Sequence, residues 1–261
     1  MQIKKKNKVF IITVIATFLF TVLRCVLLYT DFDFDSGFFS VKPLATFYYI
    51  TLIVFCALIY FTKKIYVQDR MSIYATKNVT VFFHVILALL FIGLTYISSK
   101  GKEITTPLET VAQNICVVSS GLSVIYYAVS AFVDSAFTKI LNLFPVLFFV
   151  STTILSFIEQ TGSANTYNEV SHILSIVALA FIVLEDGKYS IDKNCSSILP
   201  VYFIALVVLC QSAIPDIITL ITKSTAPDIN LCLLSVIKIV YAAFMTAKLI
   251  TKIKTSREDN K

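Results

Sequence analysis

The sequence predicts an all-α polytopic membrane bundle with eight spans and both termini on the cytoplasmic side. Three observations carry this. Hydrophobic residues make up 57% and charged residues 15% of the 261 positions, with a mean hydropathy of +0.83; soluble domains run nearer a quarter charged. The apolar residues fall into runs at 9–29, 44–62, 79–98, 111–134, 140–159, 170–186, 197–222 and 229–250, each close to the ~20 residues that cross ~30 Å of hydrocarbon. Basic residues gather in alternate connections, as the positive-inside bias requires. No stretch outside the runs is long enough to bury a core of its own, so residues 1–261 are expected to form a single integral membrane domain.

Backbone in hydrocarbon must satisfy its own hydrogen bonds, which makes the runs helices. The alternating pattern of a membrane barrel is missing. The first run follows Lys4, Lys5, Lys6 and Lys8. It is too long for a signal-peptide core and no small-residue cleavage site follows; Arg24 before Cys25 also makes a poor lipobox. Pro43, Pro107 and Pro227 stand at the outer starts of inward-running helices, where a missing N–H costs nothing. The shortest run, 170–186, is bounded by Glu169, His172, Glu185 and Asp186.

With the N-terminus inside, Lys63, Lys64, Arg70, Lys77, Lys139, Lys188, Lys193 and the basic tail from Lys248 to Lys261 are cytoplasmic. Lys42, Lys100, Lys102 and Lys223 fall outside. The net charge of +6 crowds beside the spans instead of lining a groove with interleaved aromatics. That distribution suits an anionic membrane surface and argues against nucleic acid. The expected partner is the lipid bilayer, and the composition points to a bacterial plasma membrane. Six cysteines without metal-ligand spacing read as free thiols, and no metal or cofactor is expected.

The first outer loop alternates aromatics with carboxylates before Gly37. Asp31, Asp33 and Asp35 have the spacing that opens a calcium loop, but the sixth and twelfth positions hold Ser36 and Lys42 instead of Gly and Glu. The favoured expectation is an interfacial lid, with Phe32, Phe34, Phe38 and Phe39 at headgroup depth or against other helices. Arg24 late in the first span, then Asp33, then Ser36-Gly37-Phe38-Phe39, resembles uncharacterised multi-span membrane proteins of Firmicutes. The resemblance implies an integral membrane protein of that bacterial group and transfers no activity.

Polar groups inside the spans are the candidate site. At 1.5 Å per residue, Lys238 lies ~13 Å inside its span, Asp216 ~9 Å from the outer end of its own, and Arg24 ~8 Å below the outer end of the first. Ser212, Asp216 and Thr219 share one helix side, as do Ser235, Lys238 and Tyr241, and as do Thr13, Thr17, Thr21 and Arg24. Lys238 is expected to face the bundle interior with Asp216 as its carboxylate, since a charge deep in hydrocarbon costs at least ~3 kcal/mol. Gln211 stands one turn before Pro215, whose missing N–H frees a carbonyl there. Asn114, with Gln113, lies in the outer third of the fourth span and could join an outward-facing pocket.

Plainer readings stand beside these. Arg24 could snorkel outward, Asp216 could cap backbone disturbed by Pro215, and an Asp–Lys pair could simply hold helices together. His84 and His172 sit at opposite ends of their spans and cannot share a metal. Ser119, Gly121 and Ser123 are expected to permit close helix packing, and Asp134 and Glu185 to line the cytoplasmic rim.

Catalytic and nucleotide-binding motifs are missing, which disfavours an enzyme. A Schiff base on Lys238 would need little more than a nearby aspartate, but eight spans without tryptophan argue against it. Two function classes remain. One is a small-solute or ion transporter with an outer-leaflet polar pocket. The other is a non-catalytic sensing or assembly component whose intramembrane charges are structural.

Overall fold

The computed structural model describes residues 2–33, 38–39, 42–62, 76–100, 106–133, 135–160, 167–191, 198–223 and 229–258. The helices are α1 (Gln2–Thr30), α2 (Lys42–Phe61), α3 (Lys77–Ser99), α4 (Pro107–Ser130), α5 (Ala136–Leu141), α6 (Leu143–Gln160), α7 (Tyr167–Ile191), α8 (Ile198–Lys223) and α9 (Ile229–Glu258). Between α1 and α2, β1 (Phe32–Asp33) and β2 (Phe38–Phe39) pair antiparallel, with Phe32 opposite Phe39. Eight helical segments are long and apolar enough to cross a membrane, with α5 and α6 sharing one of them. They are the spans of an integral membrane protein, in contact with the lipid bilayer.

Helix bounds differ from the hydropathy runs at several places: α1 begins at Gln2 and α9 continues to Glu258, beyond the runs 9–29 and 229–250. The fourth span ends at Ser130, short of residue 134, because Ala131, Phe132 and Val133 continue the apolar composition through a turn. Ser135 then caps α5 in a reciprocal box with Thr138 (3.2 and 3.1 Å). The fifth span is interrupted at Asn142. Pro145 has no N–H to give the carbonyl one turn earlier, which favours a break there, and at the break Asn142 Nδ2 donates across to Val183 O of α7 at 2.7 Å. The sixth span, read as 170–186, is the longer helix Tyr167–Ile191, its polar ends extending past the apolar stretch. Pro215 stays inside an unbroken α8.

Packing centres on α8. Neighbouring contacts run α8–α9–α3–α4–α6–α7 and back to α8, closing a ring of six helices, while α1 and α2 lie against α8 from outside. Phe91, Phe148, Phe149, Tyr127 and Tyr241 fill the ring's centre with edge-to-face and tilted ring contacts at 5.1–6.5 Å. A second cluster, Ala16, Phe20, Leu27, Leu28, Ala45, Tyr48, Leu52 and Val207, joins α1 and α2 to α8. The apolar window of α8 is 67% buried, against 22% in α2 and in α3. Large side chains such as Phe18, Phe47, Phe61 and Leu89 are exposed, as lipid-facing positions are.

α1 runs parallel to α8, since Phe10 meets Phe203 and Arg24 meets Gln211. α9 is antiparallel to α8, since Lys238 meets Ser212 and Lys248 meets Tyr202. Thr13, Thr17 and Thr21 form the buried stripe below Arg24. Each hydroxyl donates to the carbonyl four residues back at 2.7–2.9 Å, so the stripe packs without stranding a donor.

Candidate functional site

Five helices converge near the end of the bundle where α1 finishes. α1 contributes Arg24, α2 Tyr48, α7 Ser171, His172 and Ser175, α8 Gln211, Ser212 and Asp216, and α9 Lys238. Arg24 is 1%, Asp216 4% and Lys238 0% exposed. Burial of this kind demands partners on every side.

Asp216 is the hub. Its Oδ1 faces Arg24 Nη2 at 3.4 Å, and its Oδ2 faces Lys238 Nζ at 3.6 Å. Ser212 Oγ, one turn earlier on α8, donates to Oδ2 at 3.2 Å, and His172 Nδ1 stands 4.0 Å from the same oxygen. Lys238 Nζ has closer neighbours than the carboxylate: Ser212 Oγ and His172 Nδ1, each at 3.1 Å. An ammonium only donates, so Nδ1 accepts in this contact and the ring is neutral there.

Arg24 answers the backbone problem created by Pro215. The residue four before that proline is Gln211, whose carbonyl receives no helical N–H. Arg24 Nη1 donates to this carbonyl at 3.1 Å and to Gln211 Oε1 at 3.0 Å, and it also bonds Ser171 Oγ. Tyr48 OH stands 3.2 Å from Gln211 Oε1 and 3.1 Å from Phe20 O, sharing its one proton between the two acceptors. Gln211 Nε2 donates to Ser171 Oγ at 3.2 Å. The proline thus leaves α8 intact while opening an acceptor that ties in α1.

Lys238 therefore faces the bundle interior with Asp216 beside it, but the arrangement is larger than a pair. Arg24 does not snorkel; it is buried and bonded across to α7 and α8. His172, expected only at the rim of its span, touches Lys238 and is 16% exposed. Ser171 and Ser175 were not singled out by sequence reasoning. Their placement one turn apart beside His172 is the only local signal that could have flagged them. Tyr48 carried no signal.

Asn114 lies elsewhere. It is exposed on α4 and lines an apolar surface cavity of about 280 Å³ with Ile115, Val118, Ser119, Leu122, Phe144 and Leu147. Gln113 instead donates to Ser98 O at 2.7 Å, pinning α4 to α3. In the loop, Asp31 is half-buried at the end of α1 and Asp33 lies in β1, whereas Asp35 falls outside the described residues. Phe32 packs against the α1–α2 cluster; Phe34, Ser36 and Gly37 lie outside the described residues.

A second polar cluster occupies the opposite end of α7, α8 and α9. Lys248 Nζ on α9 bonds Asp186 Oδ2 on α7 at 2.7 Å, and Tyr202 OH on α8 bonds Asp186. The ammonium also lies 4.3 Å from the Phe244 ring centroid. His84 Nδ1 contacts Ser130 Oγ at 3.0 Å nearby. Asp134 is outside the described residues. No family profile, curated protein or solved structure matches the chain.

Proposed function

We propose that this membrane protein is transporter-like and handles a small solute or ion at the Arg24–His172–Asp216–Lys238 cluster. The observation that carries the reading is the meeting of two cationic side chains, a carboxylate and an imidazole below the surface, supplied by four separate helices. Charges in hydrocarbon are costly, and their usual uses are solute sites and relays. Side-chain contacts between helices, not continuous backbone, hold the cluster together, so relative movement of α1, α7 and α9 about α8 would remodel it. Under the positive-inside orientation, with both termini cytoplasmic, the cluster lies in the outer leaflet of a bacterial plasma membrane.

The complete burial of Lys238 favours the second reading, a sensing or assembly component in which the network only joins helices. Purified protein in proteoliposomes separates the two. Imposed gradients of small monovalent ions and short organic acids, followed with a potential-sensitive dye, should give flux that Lys238→Met abolishes. Vesicles as tight as protein-free controls under every gradient would remove the transport reading.

A further inference from the structure

We propose that the ligand of this cluster is a small singly charged anion, a halide or a short carboxylate, held by Lys238 with the hydroxyl of Ser235. This rests on the reading that the cluster handles a solute. The two cations are not equivalent. Arg24 is engaged by the Gln211 carbonyl and amide and by Ser171, which fasten α1 to α7 and α8, and it also stands 3.4 Å from Asp216 Oδ1, nearer than Lys238 stands to that carboxylate. Lys238 meets only neutral groups at hydrogen-bonding distance, Ser212 Oγ and His172 Nδ1 at 3.1 Å. Its carboxylate contact is 3.6 Å, longer than the ~2.7–2.9 Å of a charge-assisted N–H···O bond. The ammonium is thus held in place by dipoles while its charge is only loosely compensated.

Ser235 supplies an independent observation. It lies one turn before Lys238 on the same side of α9 and is fully buried. Its hydroxyl has no hydrogen-bond partner among the described residues. Buried hydroxyls ordinarily find one, commonly the carbonyl one turn back. An unpartnered O–H on the same helix side as a buried ammonium matches a halide or carboxylate oxygen, which takes several short donors at once. Arg24 and Lys238 bring two positive charges against the single negative charge of Asp216, and that excess calls for one more negative charge. Lys238, Ser212 and Ser235 are fully buried, which restricts the ligand to a few atoms.

The test is the thermal unfolding of the full chain in detergent. Sodium chloride and sodium acetate are titrated against sodium gluconate, a monoanion too bulky for the site, at matched ionic strength. Chloride or acetate should raise the transition saturably, by about 3 °C or more when well above its Kd. Ser235→Ala should weaken the apparent affinity severalfold, and Lys238→Met should abolish the shift. If Lys238→Met fails to fold, the Ser235→Ala titration still decides the matter. Identical transitions in all three salts, or an affinity unmoved by Ser235→Ala, would overturn the proposal. Cation flux in proteoliposomes without anion stabilisation removes this inference and leaves the transport reading. Saturable stabilisation without flux supports the anion and removes transport.

Discussion

At the scale of single residues, Asp216 governs the behaviour of its neighbours. It stands between Arg24 and Lys238, so Asp216→Asn leaves two buried cations without it. The expected loss is ~3–5 kcal/mol, read as a lower unfolding temperature and poor detergent-extracted yield. Lys238→Met removes one cation and leaves the Arg24 contact, so it should cost less. The double variant Asp216→Asn/Lys238→Met should recover part of the loss but not reach wild type, because Arg24 remains. Equal stability of Asp216→Asn and Lys238→Met would mean the carboxylate is not shared. Gln211 is the other sensitive position. Gln211→Leu takes the amide oxygen from both Arg24 and Tyr48 and should cost ~1–3 kcal/mol. Pro215→Ala tests the carbonyl argument: an N–H restored at residue 215 competes with Arg24 for Gln211 O, loosening α1 without unfolding α8. Greater accessibility of Cys25 to a thiol reagent would be its signature.

At the scale of elements, the break between α5 and α6 and its seat on α7 form one unit. Asn142 Nδ2 holds Val183 O at 2.7 Å. A Cβ added at Gly187 would collide with that same amide. Moving Asn142 aside forfeits its hydrogen bond, so Gly187→Ala should cost ~1–3 kcal/mol. Asn142→Ala clears the space, so the two changes should be strongly non-additive in a double-mutant cycle. Gly121 is the control. A Cβ there meets only Thr95 Cγ2 at 3.8 Å, and Gly121→Ala should leave the unfolding temperature within about a degree, the scale of a neutral change. Ser119 and Ser123 of α4, expected as small packing residues, are buried, and so is Ser120 between them. All three bond their own helix backbone at 2.5–2.8 Å.

At the scale of the whole molecule, a six-helix ring carries the aromatic core, and α1 with α2 forms an outer layer on α8. The two polar clusters lie at opposite ends of α7, α8 and α9, one around Asp216 and one around Asp186. Any relative tilt of these three helices must strain or break contacts at both ends. Orientation in the membrane is a prediction from the basic residues alone. Reporter fusions after Lys64 and Lys193 should read cytoplasmic, and fusions after Lys42 and Lys102 should read external. A fusion at residues 187–196 reading external would reverse the sixth span and move the Asp216 cluster to the cytoplasmic leaflet.

The eight helices were legible because hydrocarbon leaves the backbone no alternative to internal hydrogen bonds, and composition alone marks where that constraint applies. The cost of burying Lys238, Asp216 and Arg24 was legible for the same reason. Composition did not locate the end of α4, since the turn there is built from the apolar residues Ala131, Phe132 and Val133, nor the break at Asn142, a single polar residue inside an apolar run. Helix neighbours were also hidden. Lipid-facing and core-facing positions are equally apolar, so periodicity in a membrane helix records no preferred partner. Only the tertiary structure set α1 parallel against α8, brought the N-terminal turns of α7 to Lys238, and left Asn114 on an outer surface. Those placements turned an expected Asp–Lys pair into a network joining five helices, because a buried charge takes every partner that packing brings within reach.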